Sequence, residues 1–196
     1  NNKGHTIRVM DLMVVSNITM ILNSKGLILD TPLQRGYVGN SILAKNGAED
    51  CTIRQSGIAN NLSNNLYSNG CAGTFSQSLG TTNLIASSSS EGVCDITSDG
   101  ILCPFKEYSD SSLGYFRPRL LESYSSRNDS PIVNKGPLSG SGIISCETSD
   151  QRLIKRNNIW ELCDRGAIEL RVDLNTIELV GADILYKDVA KMSIRD

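Results

Sequence analysis

Histidine is nearly absent from this chain. Among 196 residues there is one, His5, and it lies close to the first residue, where segments are commonly mobile. A Ser-His-Asp or Cys-His mechanism would depend on that side chain alone, and the sequence contains no GxxxxGK[ST] phosphate-binding loop. We therefore expect a protein that is not an enzyme and that needs no cofactor.

Basic runs and long apolar runs are lacking as well. The net charge is −2, with both signs scattered along the chain, so a nucleic acid would find no basic patch to bind. The richest apolar stretch, residues 9–22, includes Asp11 and several other polar residues and is shorter than the ~18 apolar residues of a membrane helix. We expect no nucleic-acid partner and no stable membrane span. Since no apolar signal core opens the sequence, we also expect a mature or trimmed chain.

The chain does contain six cysteines: Cys51, Cys71, Cys94, Cys103, Cys146 and Cys163. None belongs to a CxxC pair, the spacing typical of zinc fingers and ribbons. An even number of well-separated cysteines fits disulfides in an oxidising compartment, which predicts an extracellular or cell-surface protein. Six cysteines allow about 15 pairings, and we favour the local set. In that set Cys94–Cys103 closes a turn, Cys51–Cys71 ties a helix or loop to the next segment of the chain, and Cys146–Cys163 joins two neighbouring strands.

Two patterns predict an α+β fold that is β-rich overall. Met10, Met13, Val14 and Ile21 approximate one helical stripe, which favours a helix within residues 9–22, although the β-branched residues there leave a strand open. Apolar and polar residues alternate over 168–174, as in a sheet with one buried face. Asn46-Gly47 and Asn69-Gly70 indicate turns. We expect a helical or assembly segment over 1–30, packed on the antiparallel sheet of a single β-rich domain over 31–196, with loops held by disulfides.

The stretch over residues 104–131 is the best candidate for recognition. It combines tyrosines and arginines, which are enriched among interface hot spots, and the predicted partner-binding residues are Tyr108, Tyr115, Phe116, Arg117, Arg119 and Tyr124. The alternative is that Phe105, Phe116 and Leu120 belong to the core with the tyrosines half-buried over it. Glycosylation sequons at Asn17, Asn61 and Asn128 leave glycosylation undecided.

Residues 10–15, Met-Asp-Leu-Met-Val-Val, resemble the amino-terminal segment of type IV pilins and type II secretion pseudopilins. Residues 160–162, 168–172 and 189–195 are similar to the closing strands of minor pilins and minor pseudopilins. The resemblance implies a helix packed on an antiparallel sheet and a low-abundance subunit that initiates or tips a filament. The assembly residues that it implies are Met10, Asp11, Leu12, Val14, Val15 and Ile18.

The leading hypothesis is therefore a structural or adhesive subunit of an extracellular bacterial filament, whose partners are other filament subunits or a surface receptor. A second hypothesis is a viral or cellular receptor-binding glycoprotein domain that uses the stretch over 104–131. A third is a secreted hydrolase with a carboxylate pair, which needs no histidine. Candidate carboxylates for it are Glu107, Asp110, Glu122, Glu147 and Asp150. No metal site is predicted, since residues 95–100 are shorter than an EF-hand loop and lack its closing glutamate.

Overall fold

The computed structural model describes residues 7–10, 13–30, 36–54, 62–86, 99–108, 114–119, 121, 129–136, 145–156 and 162–170. Twelve short strands lie within these ranges. They are β1 (Ile7–Val9), β2 (Val14–Ser16), β3 (Thr19–Ile21), β4 (Leu27–Leu29), β5 (Tyr37–Gly39), β6 (Ile42–Ala44), β7 (Cys51–Ile53), β8 (Leu62–Ser63), β9 (Leu66–Tyr67), β10 (Gln77–Ser78), β11 (Lys106–Glu107) and β12 (Gly114–Tyr115).

The first nine strands form three successive coils of a parallel β-helix. Each strand pairs in parallel with the strand one coil later, which gives sheet A (β1, β4, β7), sheet B (β2, β5, β8) and sheet C (β3, β6, β9, with β10 added beyond β9). The sequence separation across one coil is 23 between Ile18 and Ser41 and 24 between Asn40 and Asn64. Stacked repeats of this kind bury a continuous core that no single repeat could form.

Side chains that point inward at alternate positions of the short strands fill the interior of the coils. Val15 and Met20 are buried in the first coil, and Val38 and Leu43 take the same places in the second. These side chains belong to one cluster that includes Leu27, Leu29 and Leu62. Because successive residues of a strand point to opposite faces, three residues per strand are enough to place one or two side chains in the core.

The predicted N-terminal helix is wrong. Residues 14–16 and 19–21 form β2 and β3, and the described residues contain no helix of the predicted kind. The helical stripe required Met10, Met13 and Val14 to be buried together, but they are 55%, 40% and 51% exposed. Pairing with the following coil favoured strands over a helix. Hydrogen bonds between coils satisfy the main-chain N–H and C=O groups that would otherwise bond within a helix.

The predicted antiparallel sheet is also wrong. Among the described strands, β11 and β12 pair antiparallel as a small hairpin. The larger sheets A, B and C are all parallel. Residues 168–170 are not in a strand, and 171–196 lie outside the described residues. Residues on both sides of position 30 contribute to each of sheets A, B and C.

A second apolar layer covers the outer face of sheet C. Ile21, Ile42 and Leu66 point away from the coil interior and pack with residues from later in the chain, namely Leu79, Leu84, Ile101, Leu102 and Ile132. Sheet C therefore lies between two cores. The later part of the chain is held against the side of the β-helix by this layer and by a set of buried polar contacts.

Candidate functional site

One corner of the coils carries a column of asparagines. Asn17, Asn40 and Asn64 occupy the bend between sheets B and C in successive coils, each with positive φ (51°, 53° and 58°) and each buried. Asparagine tolerates this left-handed conformation better than most residues. The amide of Asn64 donates to Oδ1 of Asn40 at 2.9 Å. We call these three residues the first asparagine column.

The first asparagine column holds the later part of the chain against the coils. The Nδ2 groups of Asn17, Asn40 and Asn64 donate to the main-chain oxygens of Asp164, Ser145 and Lys135, respectively. In return, Gly166 N–H donates to the main-chain oxygen of Asn40. Segments far apart in sequence are joined in this way by buried and partly buried hydrogen bonds, which are costly to leave unmade.

These contacts also bear on glycosylation at Asn17, one of the three sequons. Asn17 is buried, its Nδ2 donates to Asp164 O, and its Oδ1 accepts from Glu147 N–H at 3.1 Å. A glycan on Asn17 would displace both contacts, so the folded chain has no room for one. Asn61 and Asn128 lie outside the described residues.

Two predicted disulfides are confirmed. Cys51 pairs with Cys71 and Cys146 pairs with Cys163, which is consistent with an oxidising environment. Two details of the prediction were wrong, because Cys51 lies in β7 and neither Cys146 nor Cys163 is in a strand. The pairing of Cys94 with Cys103 stays a prediction, since Cys94 lies outside the described residues.

Next to the Cys146–Cys163 disulfide lies a network of buried charges. Arg156 Nη1 donates to Glu169 Oε2 at 2.7 Å, and Arg152 Nη2 donates to Asp150 Oδ2 at 2.7 Å. Asp164 accepts from two backbone N–H groups, those of Asn134 and Leu170. Asp150, Asp164, Glu169 and Arg156 are all buried. Ion pairs and hydrogen bonds hold each of these side chains in place, which is the arrangement expected of a structural network.

The pKa values of the acids in this network are shifted in different directions. Burial, and after it the nearby Glu169 carboxylate, raise the pKa of Asp164 to about 8, against the lowering effect of two backbone N–H donors and of Arg156. Burial likewise raises the pKa of Glu169 above its usual value. Burial acts to raise the pKa of Asp150 too, but the hydrogen bond and charge of Arg152 outweigh it, so that this pKa is lowered.

These shifts predict a pH dependence of folding stability. Asp164 holds a proton in the folded state up to about pH 8, while the unfolded chain releases it near the ordinary value of 3.8. The folded state therefore binds more protons in this window, and the free energy of unfolding should fall as pH rises from about 4 to about 8. Urea unfolding at one-unit pH steps would measure this slope. Asp164→Asn should flatten it, and a wild-type stability that increases across the window would contradict the assignment.

Of the five carboxylates proposed for a hydrolase, the structure describes Asp150, Glu147 and Glu107. Asp150 is buried, and its oxygens accept from Arg152 and from the N–H groups of Ile154 and Glu169. Glu147 is exposed and accepts from the Ser16 hydroxyl at 2.8 Å, and Glu107 is exposed on β11. Asp110 and Glu122 lie outside the described residues. Among the described residues no cluster of three or more His, Cys, Asp or Glu side chains could hold a metal ion.

The predicted partner-binding residues pack inward where they are described. Tyr115 and Arg119 are buried, and Arg119 Nη1 donates to Gly100 O at 2.9 Å. The ring of Tyr108 lies 5.4 Å from that of Tyr115, and Arg152 lies over the Tyr115 ring. Phe116 and Arg117 are half-buried, and Tyr124 lies outside the described residues. Phe116 packs against the second apolar layer, as the core alternative expects, while Leu120 lies outside the described residues. Binding by these residues stays a prediction.

The predicted assembly residues divide between the surface and the core. Met10 and Val14 are exposed, Val15 is buried and Ile18 is half-buried, while Asp11 and Leu12 lie outside the described residues. The exposed ones lie on the first described coil. Met13 lies within the segment that carries the resemblance but was not among the predicted assembly residues, and it is exposed as well.

Among the described strands, those of the first coil are the outermost in every sheet. Tyr37 N–H donates to Met13 O, and Asn17 N–H donates to Gly39 O. Because main-chain groups of a strand alternate between its two sides, those of Val14 and Ser16 face away from β5. β1 and β3 are likewise outermost, and no described strand pairs with this side of β1, β2 or β3. We call this side, with the exposed Met10, Met13 and Val14, the first-coil edge.

In the part of the chain that the structure describes, no helix is long and apolar enough to cross a membrane. No protein-family model, curated protein or solved structure matches this chain significantly. Inferences about function therefore stand on the geometry of this chain alone.

Proposed function

We propose that this chain is a structural or adhesive subunit of an extracellular filament or related surface assembly, and that it acts by contact with other subunits. The observation that carries the proposal is the first-coil edge, where three outermost parallel strands meet exposed apolar side chains. Open strand edges are templates for pairing with another chain. The pilin-like packing of an N-terminal helix is not part of this proposal, because that segment forms strands.

The rest of the described structure supports a role in contact. Its buried charges serve to hold segments together: Arg156 binds Glu169, and Arg165 binds Asn64 Oδ1 and Phe75 O. Two disulfides brace the fold. A β-helix stiffened in this way presents a rigid surface, as an assembly subunit requires.

Proline at position 14 is expected to block assembly without unfolding the coil. The Val14 N–H faces the open edge, so Val14→Pro removes no hydrogen bond to β5, and proline is tolerated where the N–H of an edge strand points outward. We expect the protein concentration needed for assembly to rise by about tenfold or more, because a pairing hydrogen bond is lost and the ring obstructs the incoming strand. Sedimentation velocity and electron microscopy of the oxidised protein would measure this.

Val14→Thr is the matched control, since it keeps both the N–H and the β-branched shape, and it should assemble like the wild type. Circular dichroism should show that both variants are folded. A wild-type protein that stays monomeric at every accessible concentration would refute the proposal, as would unimpaired assembly of a folded Val14→Pro variant.

A further inference from the structure

A second column of asparagines lies at the corner that follows sheet C. Asn23, Asn46 and Asn69 recur at the coil period, one in each coil, and the last two are each followed by glycine. Both glycines are required by the fold. Gly47 and Gly70 have φ of 53° and 84°, and a Cβ on either would collide with a main-chain oxygen. The coil geometry thus imposes Asn-Gly at two equivalent places.

The Asn46–Gly47 pair is locked. Asn46 is 1% exposed, its Oδ1 accepts from both N–H and Nδ2 of Asn23, and its Nδ2 donates to Met20 O and Asp50 Oδ1. The N–H of Gly47 donates to Asn23 O at 2.9 Å. Neither the amide carbon of Asn46 nor the nitrogen of Gly47 is free to move toward the other.

The Asn69–Gly70 pair lacks this lock. Asn69 is exposed, and its side chain makes one hydrogen bond, from Nδ2 to Ala48 O at 2.7 Å. Among the described residues the Gly70 N–H has no acceptor. The contacts that enclose Asn46 come from Asn23 and Met20 of the preceding coil and from Asp50. Among the described residues the equivalent side-chain contacts are not made by Asn69.

We propose that Asn69–Gly70 is a site of spontaneous deamidation and that the fold protects its counterpart Asn46–Gly47. The Gly70 nitrogen attacks Cγ of Asn69 and forms a new C–N bond, while the Cγ–Nδ2 bond breaks. The amide nitrogen leaves as ammonia with the proton from Gly70, which produces a five-membered succinimide. Water then opens either carbonyl of the ring and yields aspartate or isoaspartate. No other reactant is needed.

The product would alter the end of the third coil. Asn69 N–H donates to the buried Asp50 Oδ2 at 2.8 Å, and Asp50 N–H donates to Asn69 O at 2.8 Å. Deamidation places a second carboxylate next to Asp50 and removes the donor to Ala48 O. Isoaspartate also adds a methylene to the main chain shortly before Cys71, which is bonded to Cys51. The reaction therefore loosens the corner that closes the third coil.

Incubation of the folded, oxidised protein at mildly alkaline pH, followed by digestion and mass spectrometry, tests the proposal. Asn69 should convert to aspartate and isoaspartate about tenfold or more faster than Asn46, since several hydrogen bonds of ~1 kcal/mol must break before Asn46 can react. In the reduced chain in denaturant, the two sites should react at similar rates.

Glutamine has a longer side chain and closes a six-membered ring much more slowly. Asn69→Gln should therefore abolish the mass gain of the peptide that contains position 69 together with Asn64 and Asn65. The proposal is overturned if the mass gain persists in that variant, if Asn46 reacts as fast as Asn69 in the folded protein, or if Asn69 stays an amide while the denatured chain reacts.

Discussion

Replacement of Arg156 with methionine is expected to destabilise the protein by about 3–5 kcal/mol, the typical cost of leaving a buried charge without its partner. Arg156 Nη1 donates to Glu169 Oε2 at 2.7 Å, and its Nη2 donates to Gly166 O at 2.8 Å. Methionine has a similar length and no donor, so Arg156→Met leaves the buried Glu169 carboxylate without its opposite charge and removes the donor to Gly166 O. Chemical denaturation followed by circular dichroism would measure the loss.

The double variant Arg156→Met, Glu169→Leu distinguishes the stability cost of the unpaired charge from the cost of lost side-chain packing. With no carboxylate left unpaired, much of the lost stability should return, although not all, since Glu169 Oε2 also accepts from Asp164 N–H. The deficit of the single variant should also shrink on acidification, because protonation of Glu169 removes the buried charge. A single variant that loses less than about 1 kcal/mol, the size of an ordinary surface effect, would show that the pair is not essential.

Asn40→Ala is expected to cost about 2–5 kcal/mol in total, since it removes two hydrogen bonds of a buried side chain and places alanine in a left-handed conformation. Asn40 is fully buried in the middle of the first asparagine column. Alanine removes the Asn40 acceptor of Asn64 Nδ2, which keeps its bond to Lys135 O, and it removes the donor to Ser145 O. The two lost hydrogen bonds together cost about 1–3 kcal/mol. Alanine must also adopt the positive φ of 53° at this position, which adds about 1–2 kcal/mol. Thermal and urea unfolding would both report the change.

Asn40→Gly is the control for the backbone term. Glycine loses the same two hydrogen bonds but takes a positive φ freely, so Asn40→Gly should be the more stable variant by about 1 kcal/mol. Equal stability of the two variants would show that the left-handed conformation carries no cost here, and a negligible effect of both would refute the role assigned to the column.

The sequence predicted the two described disulfides because short separations favour local pairing. The separation is 20 between Cys51 and Cys71 and 17 between Cys146 and Cys163. The same local reasoning failed over residues 9–22, where apolar residues are so frequent that they satisfy a helical stripe and an alternating strand equally well. Periodicity alone cannot separate these in short apolar runs. The strand was selected by pairing with residues one coil later, which a local window does not include.

A repeat signal was nevertheless present in the sequence. Asn17, Asn40 and Asn64 recur at the coil period, and so do Asn23, Asn46 and Asn69. Each asparagine of a set keeps its place relative to the strand that precedes it, and a fixed period of this length is typical of a solenoid. Interpreted one at a time, Asn46-Gly47 and Asn69-Gly70 predict turns, which is correct locally but does not reveal that the turns are stacked.

By itself the sequence determined the chemistry available to this protein: sulfur for disulfides, one histidine, no basic patch, and β-forming residues between asparagine turns. Only the tertiary structure decided that the strands are parallel, that Val14 faces an open edge while Tyr115 faces inward, and that Asn46 is enclosed while Asn69 is not. The reason is that each of these properties depends on which residue lies one coil away or farther. Contacts of that kind join positions as distant in sequence as Thr19 and Ala167, and they leave no trace in the local pattern of either partner.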